Sequence, residues 1–447
     1  MITPPVYPSH TDYTMQYRYL TVIILILQGL MLSGCDDLFG SKQDDTTDEI
    51  FDAGRIEPSL VNEAEYVPLF PFFTLTAAPQ SFQAPRDIYV GYDELIYVVD
   101  EQGLHVLDRA GRPTLFIDIE GGATSVIQDR LLRVYVTARK DTMLNGRTWN
   151  LPVIQKYEGI TTGSPRLTQT IWHPFDDDSR KFNRPDPLST DELVEYTGIS
   201  IRFDNSFYAS RKGPVNDRTS VILPHNTLMV FLYDEDTDTH INRGAITALN
   251  PNQPNLRSSV FPTDVLTFIH PPQRTFSFDP VEDEEQFLVA QSPSLDAADI
   301  NAGVAPLSFS VISVLAVPTS SGIDYRPDSD LLLVAANPDR GNGFLYDEFK
   351  FTNPSDMTFA GDGTNYIFVV DSVKDSLFVF TSGGVEGVAP PPGSSSTIPV
   401  IVSFGGSGDG ALQFESPQGV AYFDRIVYVA DTGNNRISRF RLNTDFE

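Results

Sequence analysis

Short apolar runs of four to six residues, separated by turn-forming clusters, recur along the chain from residue 85 to residue 440. They are too short for helices and rich in Val, Ile, Tyr and Phe, which is the pattern of strands rather than of helical faces. Three stretches align by eye. The first is Pro85–Val90 (PRDIYV), Leu95–Asp100 (LIYVVD) and Leu104–Leu107 (LHVL). The second is Pro354–Phe359 (PSDMTF), Tyr366–Asp371 (YIFVVD) and Leu377–Phe380 (LFVF), and the third is Pro417–Tyr422 (PQGVAY), Ile426–Asp431 (IVYVAD) and Arg436–Phe440 (RISRF). Each unit is a strand opened by Pro, a turn, a second strand ending in Asp, a polar turn and a third strand. Pro suits the first position because it has no N–H to withhold from a ladder. Asp100, Asp371 and Asp431 are expected to accept backbone N–H bonds in the turns that follow them, and Asn434 and Arg436 belong to the same turn chemistry.

Four weaker units fall between these. They are Thr124–Ile127 with Leu132–Val136 and Leu151–Gln155; Gly198–Phe203 with Ser206–Ala209 and Leu228–Tyr233; Val265–Ile269 with Gln286–Ala290 and Phe309–Val314; and Gly322–Tyr325 with Leu331–Ala336 and Gly343–Tyr346. The stretch from Phe404 to Ile437, with FGGSGDG, PQGVA and VYVADTGNNRI in order, resembles the NHL repeat, a blade of a β-propeller. The resemblance implies an all-β propeller of six or seven four-stranded blades over residues 67–447, with an insert at about 158–197. The last unit has three strands of its own, and the apolar segment Val67–Ala77 ahead of the first unit has no partner. Pairing the two is expected to close the ring and cover its edges. The rival all-β arrangement is a sandwich of two sheets.

The N-terminal pattern is different. Leu20–Leu32 is an apolar run of about 13 residues, short of the roughly 20 that cross a bilayer as a helix. Arg18 precedes it and small residues follow, as in a secretory signal peptide. Leu32-Ser33-Gly34-Cys35 resembles the bacterial lipobox, and Cys35 is the chain's one cysteine. The resemblance implies a signal peptide over residues 1–34, with Met15 a more usual start than Met1, and lipid attachment (diacylglyceryl and a palmitate-type acyl chain) at Cys35. Two or more acyl chains moor firmly where one alone does not. Residues 35–66 then read as an extended tether, since Asp36–Tyr66 holds ten acids against two bases. Asp36 and Asp37 directly after the cysteine resemble surface-export signals of Bacteroidota lipoproteins, and an inner-membrane retention signal in enterobacteria. The outer membrane or cell surface is the favoured location.

Charge narrows the partners. With 31 Lys and Arg against 60 Asp and Glu, the net charge is −29, and no basic patch stands out, so nucleic acid is not an expected partner. One cysteine excludes a disulfide framework. Aromatic and charged residues in the insert, notably Trp172, His173 and Phe175, make a candidate recognition loop, beside a short capped helix at Ser189–Glu195. Asp234, Asp236 and Asp238 have calcium-loop spacing, but Thr239 and Ala245 stand where an EF-hand needs Gly and Glu, so a polar hairpin turn is expected and no cofactor. His10, His105, His173, His225, His240 and His270 are scattered singly. Amidating lyases with similar propellers hold zinc through axial His residues, and lactonase-type propellers hold Ca²⁺ through acidic and amide groups; neither set maps onto this chain. No catalytic or metal residue is therefore assigned, and the expected function is an envelope-anchored module that binds an envelope protein, glycan or peptide through its loop faces. The alternative is a metal-dependent propeller hydrolase, lactonase or lyase with an axial site.

Overall fold

The computed structural model describes residues 64–74, 81–175, 186–216, 224–246, 261–271, 286–292, 309–320, 322–328, 343–391, 394 and 396–446. The expected signal peptide and lipobox, Cys35 and nearly all of the expected tether lie outside them. Among the described residues, no helix is long and apolar enough to cross a membrane.

Six four-stranded antiparallel sheets form the blades of a β-propeller. The first strand, β1 (Tyr66–Pro68), belongs to the last blade. Blade 1 comprises β2 (Asp87–Val90), β3 (Ile96–Val99), β4 (Gly103–Leu107) and β5 (Pro113–Asp118), and blade 2 comprises β6 (Ala123–Gln128), β7 (Val134–Leu144), β8 (Arg147–Glu158) and β9 (Arg166–Trp172). Blade 3 is β10 (Glu195–Ile201), β11 (Phe207–Lys212), β12 (Thr227–Asp234) and β13 (Thr239–Ala245). Blade 4 is β14 (Pro262–Thr267), β15 (Gln286–Gln291), β16 (Val311–Thr319) and β17 (Gly322–Pro327). Blade 5 is β18 (Pro354–Phe359), β19 (Ile367–Asp371), β20 (Ser376–Phe380) and the short β21 (Phe404–Gly405). Blade 6 is β22 (Gly419–Phe423), β23 (Ile426–Asp431) and β24 (Arg436–Leu442), completed by β1.

The ring closes as the unpaired apolar segment anticipated. Tyr66, Val67 and Pro68 pair with Leu442, Arg441 and Phe440, and Phe73 bridges to Ile437 further along the same edge. Leu69 N–H donates to the Arg439 carbonyl at 2.8 Å between them. Most of the edge of β24 is thus occupied by the start of the wheel.

Six blades rather than seven follow from the fate of Gly322–Tyr325. That segment is not an inner strand but part of β17, the outer strand of blade 4, with Thr319 opposite Gly322 and Val314 opposite Pro327. Leu331–Ala336 lies outside the described residues. Phe344, Leu345 and Tyr346 form no strand of a blade; they are buried in a connection that joins the core between blades 4 and 5. The expected insert is also shorter than 158–197, because Arg166–Trp172 serves as the outer strand of blade 2. The expected helix at Ser189–Glu195 is a single 3₁₀ turn, Asp191–Leu193, after which Glu195 opens β10.

The core lies between neighbouring blades, so middle strands are covered on both faces. This is why β3, β19 and most of β23 are buried at every position and read as continuous apolar runs without alternation. Aromatic rings join blade to blade: Tyr208 stacks on Phe287 with centroids 4.7 Å apart, and Phe368 on Tyr422 at 5.2 Å. Outer strands such as β5 and β17 are half-buried or exposed.

Candidate functional site

The inner strands start at the axis with a repeated irregularity. In β6, β10, β14 and β18 the register slips between Ala123 and Ser125, Tyr196 and Gly198, Pro262 and Asp264, and Pro354 and Asp356. The extra residues are Thr124, Thr197, Thr263 and Ser355, and a bulge turns such a residue out of the ladder. Each hydroxyl donates to the next blade's backbone: Thr124 Oγ1 to the Tyr196 carbonyl at 3.0 Å, Thr197 Oγ1 to Pro262 at 3.0 Å, Thr263 Oγ1 to Pro354 at 2.5 Å and Ser355 Oγ to Pro417 at 2.9 Å. Arg86 and Gln418 hold the same place in blades 1 and 6, after Pro85 and Pro417. These six residues, with Glu195, Lys212, Asn353 and Ser372, line a funnel of about 340 Å³ at the axis. Lys212 pairs with Glu195 at 3.1 Å, and Arg86 lies 3.6 Å from Glu101.

One residue deeper is a second ring, Asp87, Ser125, Gly198, Asp264, Asp356 and Gly419. Its carboxylates fasten blades together. Asp87 accepts from Ser125 Oγ at 2.7 Å and Val126 N–H at 2.8 Å, Asp264 from Met357 N–H at 3.1 Å, and Asp356 from Val420 N–H at 2.6 Å. Burial pushes Asp87 up to about 6 and, with the nearby Asp87 charge, pushes Asp264 up to about 8. Asp356 is raised well above the usual carboxylate range by burial and by both of its neighbours. Glycine is required where the ring is tightest: a Cβ on Gly419 would lie 2.7 Å from the Asp87 Cα. Below the carboxylates the axis narrows to a void of about 60 Å³ among Ile88, Ile127, Met357, Phe359 and His270.

Beside the funnel lies a trough of about 320 Å³, floored by Gly121 and Gly122 and walled by Ala138, Arg139, Pro152, Glu192, Leu193 and Tyr196. It shares Arg86, Thr124 and Glu195 with the funnel. Arg139 is committed to structure, donating to Asn150 Oδ1 at 2.6 Å, to the Asn150 and Val194 carbonyls at 2.8 and 2.7 Å, and to the Glu192 carbonyl.

The turn aspartates sit on the funnel side of the blades. Asp100 accepts from Gln102 N–H at 2.7 Å and Gly103 N–H at 3.1 Å, and with its other oxygen from Gln83 N–H at 2.8 Å. Asp371 accepts from Val373 and Lys374 N–H, both at 3.0 Å, and from Thr352 N–H at 2.7 Å. Asp431 differs. Asn434 Nδ2 and Arg436 Nε reach it at 2.9 and 2.8 Å, and its backbone donor is Glu415 in the preceding connection. Gly433 N–H, which stands where Val373 N–H serves Asp371, donates instead to the Glu415 carbonyl at 2.7 Å, and the side chains of Asn434 and Arg436 fill the place on Asp431.

The candidate recognition loop faces inward. His173 and Phe175 are buried, and Trp172 packs with Leu151 and Phe175 beneath the long β7–β8 hairpin. His173 Nδ1 stands 3.4 Å from Arg211 Nη1, a donor, so its proton is on Nε2, which donates to Asp191 Oδ1 at 3.2 Å. His225 Nδ1 accepts from Val215 N–H at 3.3 Å, which places its proton on Nε2 as well, 3.7 Å from the same oxygen. Asp191 thus takes both imidazoles on one carboxylate oxygen, His173 at 3.2 Å and His225 at 3.7 Å. Asp234 Oδ1 accepts from Asp236 N–H at 3.0 Å within the β12–β13 hairpin, while Asp238 turns to Lys156 Nζ at 2.9 Å. Among the described residues, no group of three or more His, Asp or Glu side chains is arranged to hold a metal ion.

What the sequence reading missed was the axis itself. The signal was present as a column: Pro85, Pro262, Pro354 and Pro417 are each followed by one polar residue and then by Asp or Gly.

The NHL repeat family model matches residues 414–440. No curated protein matches the chain in sequence. Among solved structures, an auxiliary nutrient binding protein from Bacteroides thetaiotaomicron is similar at 10% identity and a TM-score of 0.48, over 86% of this chain and 78% of that one. A gluconolactonase from Xanthomonas campestris is similar at 10% identity and a TM-score of 0.42, over 85% of this chain and 98% of the other. A PQQ-bound aldose sugar dehydrogenase from Streptomyces coelicolor is similar at 12% identity and a TM-score of 0.42, over 85% and 99%.

Proposed function

We propose that this protein is a binding module displayed at a bacterial envelope, moored by lipid at Cys35 and receiving its ligand at the axial funnel. The observation that carries the reading is the placement of the funnel relative to the point where the chain joins the wheel. Tyr66 pairs with Leu442, at the end of β24 remote from its turn with β23. The funnel opens on the other side, where the inner strands begin and where Ser372 and Asn353 lie. A mooring upstream of Tyr66 therefore pulls on one face while the funnel opens on the other. The lipobox at Leu32, Ser33, Gly34 and Cys35 supports such a mooring, and an envelope protein, glycan or peptide supplies the partner.

Mass spectrometry of the mature N-terminus tests the anchor: a lipidated Cys35 is expected, and an unmodified amine on any other residue refutes it. Metal analysis of protein purified without chelator tests the binding role. One tightly held Ca²⁺ or Zn²⁺ per chain at the funnel would replace the binding module with a metal-dependent propeller enzyme.

A further inference from the structure

We infer that the funnel and the trough form one elongated groove for an oligosaccharide carrying a single carboxylate, which seats on Arg86. The inference rests on the funnel being the ligand site and adds the chemistry of what enters it. The two cavities, about 340 and 320 Å³, meet at Arg86, Thr124 and Glu195. Each is of the size that holds a small ligand, and their junction makes a path for a linear one.

Hydrogen-bond accounting selects the ligand. The hydroxyls of Thr124, Thr197, Thr263 and Ser355 have each given their one proton to the neighbouring blade. Thr124 and Thr197 also meet the hydroxyls of Thr137 and Ser210 at 2.7 and 2.8 Å, so these side chains are held from both sides. Asn353 spends an amide hydrogen on Ser372 Oγ at 2.7 Å. The wall therefore mixes hydroxyl oxygens, already bonded to backbone, with N–H donors on Arg86, Lys212 and Gln418, and it suits a ligand whose groups can both donate and accept. A polyol does both at every carbon, and each of its hydroxyls can rotate to donate or accept.

Charge selects the carboxylate and limits it to one. Lys212 is engaged with Glu195 and Arg139 with backbone carbonyls, whereas Arg86 is partly exposed and has only a long contact to Glu101. Arg86 stands at the junction of the two cavities, where a guanidinium can grip a carboxylate through two N–H bonds. A polyanion is disfavoured, because Glu192 and Glu195 line the same groove and the whole chain carries −29.

Calorimetric titration of the protein with four probes tests this: aldotetraouronic acid (xylotriose bearing one glucuronate), glucuronate alone, neutral xylotetraose and an acidic tetrapeptide. The expected result is binding of the acidic sugar with xylotetraose at least about tenfold weaker, and an R86Q variant, folded by circular dichroism, that loses the same factor for the acidic sugar alone. Glucuronate by itself should bind more weakly than the tetramer if the trough is used. Equal affinity for the two sugars, or an unaffected R86Q, overturns the assignment while leaving a sugar-binding funnel. Peptide binding in place of sugar overturns it and keeps the binding module, and a partner that maps away from the funnel overturns both.

Discussion

Burial and the charges of the neighbouring ring carboxylates hold Asp264 and Asp356 above the usual carboxylate range. Their pKa values, and that of Asp87, are raised in the folded chain above the unfolded value of 3.8. The folded state therefore holds protons that the unfolded state has released, and stability falls as pH rises from about 4 through about 8. His240, lowered from 6.5 to about 4 by burial, works in the opposite sense below 6.5. Melting temperatures compared on the alkaline side of 6.5 isolate the carboxylates. The wild-type protein should lose stability between about pH 6.5 and 8.5, and D356N, which mimics the protonated acid, should lose less. Parallel curves would show that the ring does not titrate with folding. The neighbouring glycine makes a second test. Gly419→Ala drives a Cβ to 2.7 Å from the Asp87 Cα, so backbone must move, and urea unfolding should show a loss of about 1–3 kcal/mol. Neither the raised carboxyl pKa values nor the tight approach was legible from Asp and Gly as letters, because both arise from residues far apart in sequence meeting at one axis.

Among the elements, β1 has the largest consequence for its size. Three residues pair with β24, Phe73 adds a bridge to Ile437, and Arg439 Nη2 donates to the Pro71 carbonyl at 2.8 Å. Tyr66 also packs edge-on against Phe368 of blade 5 at 6.2 Å. Deleting residues 1–63 should leave the melting temperature nearly unchanged, whereas deleting residues 1–73 bares β24 and should cost on the order of 3 kcal/mol or more, with association of exposed edges on size exclusion. Equal stability of the two truncations would mean that the ring does not depend on its clasp. The three strong units were readable because β3 is an apolar run and β19 and β23 are apolar up to their final Asp, a direct trace of burial on both faces. Outer strands were not. Arg166–Trp172 reads as loop, and Gly322–Tyr325 as the start of another blade, since a half-exposed strand carries no pattern that distinguishes it from either.

At the scale of the whole molecule, the orientation of the wheel follows from its topology. The chain joins it on one face and the funnel opens on the other. If Cys35 is the mooring, C35A should move the protein from the membrane to the soluble fraction without altering its melting temperature, a result read by fractionation and immunoblot. Membrane retention of C35A would show that another segment anchors it. The sequence alone determined the strand content, the spacing of the recognisable blades and the need for a closing strand, because each is written in local periodicity or in a contiguous motif. The blade number, the inward turn of Trp172, His173 and Phe175, and the two rings at the axis were decided only in three dimensions. Their physical cause is the same: a bulge residue becomes part of a funnel, and a carboxylate becomes a proton trap, only once six separate strands have been brought side by side.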